Sequence, residues 1–236
     1  MVSVVLPVYN ERENLASLLD EVATALREIP FEVVAVDDGS TDGSLDELER
    51  LAARHPELRI VAFERNSGQS AAFSAGFDAA RGDVVVTMDA DGQNDPRDAL
   101  ELLRALEAHA SVAAVVGYRE LRADSTWKLL QSRVANQARN WITGDTVRDT
   151  GCSLKAMRRD ALAHVPRFNG MHRFLPTLIR ARGGTVLELP VSHRARRYGE
   201  SKYGMWNRAA RGLRDAFGVR WYRRRALEYA VRKDVD

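Results

Sequence analysis

The sequence predicts an α/β fold, a mostly parallel, doubly wound, Rossmann-like sheet followed by an amphipathic helical tail. Three observations predict it. β-Rich runs alternate with helical periodicities through the first half of the chain, the pattern of parallel strands joined by crossover helices. Runs such as Val33-Val34-Ala35-Val36 carry no polar alternation, as strands covered on both faces should. Asn10, Asp37-Asp38-Gly39-Ser40 and Asp89-Ala90-Asp91 each follow such a run, and open sheets of this kind bind ligands outside the carboxyl ends of their strands.

Taken in order, Val2–Val8, Phe31–Asp37, Arg59–Phe63 and Asp83–Met88 read as strands because they are short, β-branched and apolar. Between them Glu13–Arg27, Ser44–Arg54 and Gly68–Arg81 carry helical spacing. Pro96 opens a helix to about Ala108, followed by a strand at Val112–Val116. Trp127–Ile142 reads as helix, Gly151–Met157 as extended, His172–Ala181 as helix and Thr185–Pro190 as a last strand, before a polar Arg- and Gly-rich loop at Ser192–Tyr203. No internal repeat or low-complexity linker interrupts this order. The expected organisation is a catalytic domain over residues 1–203 and a basic helical tail over residues 204–236.

With 236 residues, 45% hydrophobic and 29% charged, the chain is long enough to bury a proper core. Its single cysteine, Cys152, excludes an internal disulfide framework and points to a reducing compartment. The first residues show neither a basic leader nor a long apolar segment, and no apolar run approaches the roughly 20 residues that cross a bilayer. The expectation is a cytoplasmic protein, peripheral to the membrane. Net charge is +2, but residues 194–236 hold 13 Lys/Arg against 5 Asp/Glu while residues 1–193 hold 22 against 28. This asymmetry suggests an anionic partner at one end, with no nucleic acid expected.

The strongest chemical signal is Val84-Val85-Val86-Thr87-Met88-Asp89-Ala90-Asp91-Gly92-Gln93, an apolar strand that ends in alternating oxygen ligands. In an extended segment Asp89, Asp91 and Gln93 point the same way, and Ala90 leaves room for a ligand to approach. Hard oxygen ligands suit Mg²⁺ or Mn²⁺, held by one or two carboxylates while the substrate's phosphates complete the shell. An acidic turn after a strand is the plainer alternative.

Near the end, Trp206, Ala209, Ala210, Leu213 and Phe217 fall at helical spacing, with Arg208, Arg211 and Arg214 beside them and Trp221-Tyr222-Arg223-Arg224-Arg225 beyond. Such a helix suits a lipid interface, where amphipathic rings and basic clusters meet the headgroups. A helix packed on the domain with a solvated basic edge fits the same pattern.

These motifs occur in the order that resembles the family 2 glycosyltransferases of the GT-A fold. Within them the chain is similar to the polyprenyl-phosphate sugar transferases, the group of dolichyl-phosphate mannose synthase and the bacterial undecaprenyl-phosphate sugar transferases. The likeness runs from Val4-Val5-Leu6-Pro7-Val8-Tyr9-Asn10-Glu11 to Gly199-Glu200-Ser201-Lys202-Tyr203. It implies a nucleotide-sugar donor and a polyprenyl phosphate acceptor, with inversion at the transferred sugar. On the residues that match, Pro7, Tyr9, Glu11, Val36 and Asp38 would hold the nucleoside, with Asp37 supporting its neighbour. Asp89, Ala90, Asp91 and Gln93 would take the metal and diphosphate.

Arg119 would bind the donor, and Arg196 with Lys202, in a loop that begins at His193, would close over the diphosphate. Arg133 would steer the acceptor phosphate, and Asp149 would orient sugar or phosphate. Read from the residues alone, Tyr9 and Glu11 also suit a loop-to-helix cap, the 193–202 loop a solvated basic turn, and Asp149 a cap or an ion pair with Arg148. A lipid phosphate is already anionic, so the acceptor needs cations to place it more than a base to activate it.

The stretches Arg65–Phe73 and Asp149–Lys155 resemble the undecaprenyl-phosphate branch more than the mannose synthases, which favours a UDP-sugar over GDP-mannose. Many bacterial relatives continue into two transmembrane helices, whereas this sequence ends in a charged tail. Membrane contact is therefore expected from the tail or from a membrane-protein subunit.

Overall fold

The computed structural model describes residues 1–119, 136–196 and 205–227. The β-branched runs form β1 (Val2–Val8), β2 (Phe31–Asp37), β3 (Leu58–Ala62) and β4 (Val84–Thr87), and the periodic stretches between them form α1 (Arg12–Leu26), α2 (Ser44–Ala52) and α3 (Gln69–Ala79). No boundary here moves by more than two residues from the sequence reading.

The second half holds α4 (Pro96–Ala108), β5 (Val112–Arg119), α5 (136–143), β6 (Lys155–Arg158), α6 (Arg159–Ala163), α7 (Leu175–Arg180), β7 (Thr185–Val191) and α8 (Met205–Arg223). α4 starts where expected, because Asp95 caps it by accepting from Arg97 N at 3.0 Å and Pro96 sits where no helical N–H bond is needed. Of the helix expected over Trp127–Ile142, the first residues lie outside the described ones. The expected helix His172–Ala181 is instead a 3₁₀ turn at Met171–Arg173 followed by α7. Pro176 lies in the first turn of α7, which is where its ring starts a helix and would break a longer one. The extended stretch at Gly151–Met157 becomes strand only from Lys155, because Asp149 Oδ1 accepts from Gly151 N at 3.0 Å and holds a turn ahead of it.

The strands form one seven-stranded sheet in the order β3-β2-β1-β4-β6-β5-β7. All adjacent pairs are parallel except those of β6, which runs antiparallel to β4 and β5. Because β1 has β2 on one side and β4 on the other, chain direction across the sheet switches at β1, the place where such sheets open a crevice. One face of the sheet buries Leu6, Leu15, Leu19, Leu48, Leu102 and Leu106 beneath α1, α2 and α4. The other buries Val5, Val34, Phe73, Phe77, Leu178 and Val219 beneath α3, α7 and α8. Gly76 explains how closely α3 packs, since a Cβ there would stand 2.2 Å from Val5 Cγ1.

α8 thus contributes Ala216 and Val219 to the core while Leu213, Phe217 and Trp221 stay exposed. Trp141, on α5, is exposed as well, and Arg220 Nη1 joins the two helices by donating to Ile142 O at 3.0 Å.

Candidate active site

The carboxyl ends of β1, β2 and β4 are tied into one platform by main-chain bonds. Asp38 N donates to Val8 O at 2.8 Å and Met88 N to Val5 O at 3.2 Å. Beyond β1 the chain turns sharply at Asn10, the one non-glycine residue with positive φ (54°) among the described residues. Asparagine tolerates that conformation when its amide is engaged, and here Asn10 Oδ1 accepts from Thr41 N at 2.7 Å while Asn10 N donates to Ser40 Oγ at 3.0 Å. These bonds hold the Pro7-Val8-Tyr9-Asn10-Glu11 turn against the Asp37-Asp38-Gly39-Ser40 turn. Gly39 (φ 67°) is required between them, because a Cβ there would meet the backbone of Arg65 at 2.5 Å.

On this platform Pro7, Tyr9 and Glu11 are half-buried at the crevice. Glu11 Oε2 accepts from Asn14 Nδ2 at 2.7 Å, and Glu11 N donates to Ser44 Oγ at 3.0 Å, so its carboxylate is held as a polar wall. Val36 is fully buried in the core, and any contact it makes with a ligand must come from its main chain. Asp38 is committed to the loop before α3, accepting from Asn66 Nδ2, Ser67 N and Gly68 N at 3.0, 2.6 and 2.9 Å. Burial pushes the Asp38 carboxyl up, those N–H groups draw it back, and the charge of Asp37 adds to the rise. Asp37 Oδ2 accepts from Ser40 N at 3.1 Å, in keeping with a supporting role.

Past β4 the chain enters the acid turn. Asp89 Oδ1 accepts from Gln69 Nε2 at 2.8 Å, and Asp89 N donates to Asn94 Oδ1 at 3.3 Å. Burial first, and then the charge of Asp91, push the Asp89 carboxyl up to about 6. Ala90 is buried and leaves the turn compact. Asp91 Oδ1 accepts from Gln93 N at 3.1 Å, while its Oδ2 accepts from Arg196 Nη2 at 2.7 Å. The Gln93 side chain turns its amide nitrogen toward the next strand's exit, 3.4 Å from Arg194 O and 3.5 Å from His193 Nε2. That leaves the Gln93 carbonyl oxygen as the atom of this side chain that could ligate a cation.

Two carboxylates that repel each other in a buried turn are surroundings in which a hard divalent ion gains most. Among the described residues no three His, Cys, Asp or Glu side chains gather as a complete cation cage. The donor set therefore fits an ion whose remaining ligands come from a substrate phosphate and water.

The remaining candidates flank this turn. Arg119 and Asp149 form a two-point ion pair, Nε to Oδ2 at 2.7 Å and Nη2 to Oδ1 at 3.0 Å, with both side chains largely buried. The partner of Asp149 is thus Arg119 rather than Arg148, whose guanidinium lies 4.8 Å over the Tyr118 ring. Arg133 and Lys202 lie outside the described residues.

Several site residues carry no motif signal that singles them out. Lys155 is buried at the start of β6, where its ammonium donates to Cys152 O, and burial pulls it down against the charges of Asp89 and Asp149. A lone lysine in the otherwise apolar Leu154-Lys155-Ala156-Met157 was its one sequence trace. Gln69 and Asn94 position Asp89 from a helix start and a turn, where amides are ordinary. Arg139 donates to Thr150 Oγ1 and to Asn136 Oδ1 at 2.7 Å, and burial together with the charge of Arg173 pulls it down. Arginines thus converge on the side of the crevice that Asp149 borders.

The sequence model of glycosyl transferase family 2 matches residues 3–165, which takes in every element of this platform through α6. The chain belongs to glycosyl transferase family 2. It is 38% identical over 228 residues to dodecaprenyl-phosphate galacturonate synthase of Rhizobium johnstonii, covering 94% of this chain and 67% of that protein. It is 42% identical over 208 residues to undecaprenyl-phosphate 4-deoxy-4-formamido-L-arabinose transferase of Pseudomonas paraeruginosa, covering 86% of this chain and 60% of that protein. The chain thus spans roughly 60–67% of the length of these relatives.

Among solved structures, a mannosyltransferase of Pyrobaculum calidifontis in complex with GDP-Man and Mn²⁺ superposes with a TM-score of 0.62 at 26% identity, over 80% of this chain and 54% of that one. Glucosyl-3-phosphoglycerate synthase of Mycobacterium tuberculosis, in complex with Mn²⁺, UDP and phosphoglyceric acid, superposes with a TM-score of 0.71 at 19% identity, over 94% and 78%. The family 2 enzyme therefore has the GT-A fold expected from its sequence.

Proposed function

We propose that this family 2 glycosyltransferase moves a sugar from a nucleoside diphosphate donor, with a UDP-sugar favoured over GDP-mannose, to a polyprenyl phosphate. Inversion at the anomeric carbon follows if the lipid phosphate attacks opposite the departing nucleotide. The observation that carries the reading is the state of Asp149. A hydroxyl acceptor needs a carboxylate free to take its proton, and Asp149, the carboxylate that would border the acceptor in this reading, is clasped at both oxygens by Arg119. Arg139 and Arg173 add positive charge there, which suits an acceptor that brings its own anionic oxygen. The relatives named above, whose names carry dodecaprenyl phosphate and undecaprenyl phosphate, support the same acceptor class.

In this reading Pro7, Tyr9, Glu11 and the main chain at Val36 border the nucleoside, and Asp38 shapes its pocket by fixing residues 66–68. Asp89, Asp91 and the Gln93 carbonyl would hold Mg²⁺ or Mn²⁺, which when bound offsets charge on the leaving diphosphate. Arg196 and Lys202 would serve the same diphosphate, Arg119 would border the donor, and Arg133 would place the acceptor. The protein would work at the cytoplasmic face of a membrane, touching it through the exposed Leu213, Phe217 and Trp221 of α8 and through Trp141. The basic cluster around Trp221, where Arg225 lies 5.7 Å over the indole, suits anionic headgroups. A membrane-protein subunit would strengthen that contact.

The test is a screen of UDP- and GDP-sugars against a short polyprenyl phosphate and soluble saccharides, read by product mass. The reading requires a phosphodiester-linked lipid sugar. Glycosylation of the soluble hydroxyl acceptors with the lipid phosphate untouched would overturn it.

A further inference from the structure

Arg196 pairs with carboxylates on both sides of the crevice. Its Nη2 donates to Asp91 Oδ2 at 2.7 Å, and its Nη1 lies 3.7 Å from Glu11 Oε1. One guanidinium therefore spans the acid turn after β4 and the turn after β1, the two walls between which a donor would enter. Asp91 is only 7% exposed, so this is a charge-assisted contact within the crevice and not a solvated surface pair. A divalent ion seeking the same carboxylate must work against that guanidinium, since two cations on one carboxylate repel each other.

The chain that carries Arg196 is rooted beside the turn. Arg194 N donates to Gln93 O at 2.9 Å, and the Arg194 side chain pairs with Glu21 and, at 2.6 Å, with Asp95 Oδ2. Ser192 N and Oγ both donate to Asp98 Oδ2, at 2.8 and 2.5 Å. Residues 192–194 are thus pinned to α1 and to the start of α4. Two residues beyond, the Arg196 side chain can change partner through its own rotamers while its base stays in place.

We infer that Arg196 is an exchangeable counter-ion: without ligand it neutralises Asp91 and Glu11, and it passes to the donor's diphosphate when the divalent ion takes Asp91. The inference rests on the diphosphate-donor reading above. It gives a reason for metal and nucleotide to bind together. A metal ion alone would displace the guanidinium from Asp91 and bring no anion in exchange, whereas a metal ion with a diphosphate brings one. The coupling is reciprocal, so nucleotide alone would also bind weakly.

The test measures free Mn²⁺ by electron paramagnetic resonance, with and without UDP or GDP, for the wild-type chain and for Arg196→Gln, Arg196→Met and Arg196→Lys. In the wild type, nucleotide should tighten Mn²⁺ binding by about tenfold or more, within the usual span of coupling between sites. Arg196→Gln should bind Mn²⁺ alone more tightly than wild type, by roughly threefold or more, and nucleotide should tighten it much less. Arg196→Lys should restore part of the coupling. Should Arg196→Gln fail to fold by circular dichroism, Arg196→Met keeps the stem and carries the same expectation.

A neutral variant that binds Mn²⁺ alone no better than wild type, beside a wild type that binds Mn²⁺ with nucleotide, overturns the exchange and leaves the donor reading standing. A wild type that takes up no Mn²⁺ with either nucleotide overturns both.

Discussion

Asp89 sits beside a second carboxylate in a buried turn, and its carboxyl is held up at about 6 by burial and by Asp91. Below that pH Asp89 carries a proton that an incoming cation must expel, and above it the carboxylate is ready to ligate. Mn²⁺ affinity in the presence of nucleotide should therefore be level above pH 7 and fall toward about tenfold per unit below pH 6. Asp89→Asn should abolish that binding; a flat profile from pH 5 to 7 would dismiss the titrating ligand. The Arg119–Asp149 pair makes a different residue-scale claim. Asp149→Asn leaves a largely buried guanidinium without its anion and should cost about 3 kcal/mol by urea unfolding. Asp149→Asn should also slow transfer, because Arg119 loses the clasp that aims it. A variant as stable as wild type would mean that water or another side chain satisfies Arg119.

At the scale of elements, α8 shows why pattern reading reached a helix but not its orientation. Apolar residues at helical spacing mark a face without saying what covers it, and here Ala216 and Val219 meet the core while Leu213, Phe217 and Trp221 do not. The double variant Phe217→Ser/Trp221→Ser should lose most co-sedimentation with anionic liposomes. Its stability should stay within about 0.5 kcal/mol of wild type, as for other exposed positions. Undiminished sedimentation would move the membrane contact elsewhere.

The same contrast runs through the sheet. β1, β2 and β4 were legible because buried parallel strands are continuous β-branched runs that end at polar turns, and the acid turn was legible for the same reason. The antiparallel direction of β6 was not, because four residues, Lys155–Arg158, carry no record of which way they run. Nor was the pairing of Arg119 with Asp149, which joins a strand end to a turn 30 residues later. Lys155, Gln69 and Asn94 act through contacts that only the assembled sheet creates.

The whole molecule couples these pieces because the crevice is built from β1, β2 and β4, adjacent strands of one sheet whose faces carry both halves of the core. A ligand held there cannot be released by fraying an edge, so its binding energy should appear as global stability. For a ligand at 100 times its dissociation constant the gain is about 2.7 kcal/mol. At roughly 2–4 °C per kcal/mol for a domain of this size, the melting temperature should rise by about 5–11 °C. Mn²⁺ and UDP added together should produce this rise, and each alone should produce much less, because phosphate oxygens would complete the metal shell. Asp91→Ala should lose the joint shift while its ligand-free melting temperature moves little, since the mutation removes one of two repelling carboxylates along with its bond to Arg196. Differential scanning fluorimetry of the two proteins with neither ligand, either one and both reads this directly. A full joint shift retained in Asp91→Ala would place the diphosphate and its cation away from the end of β4.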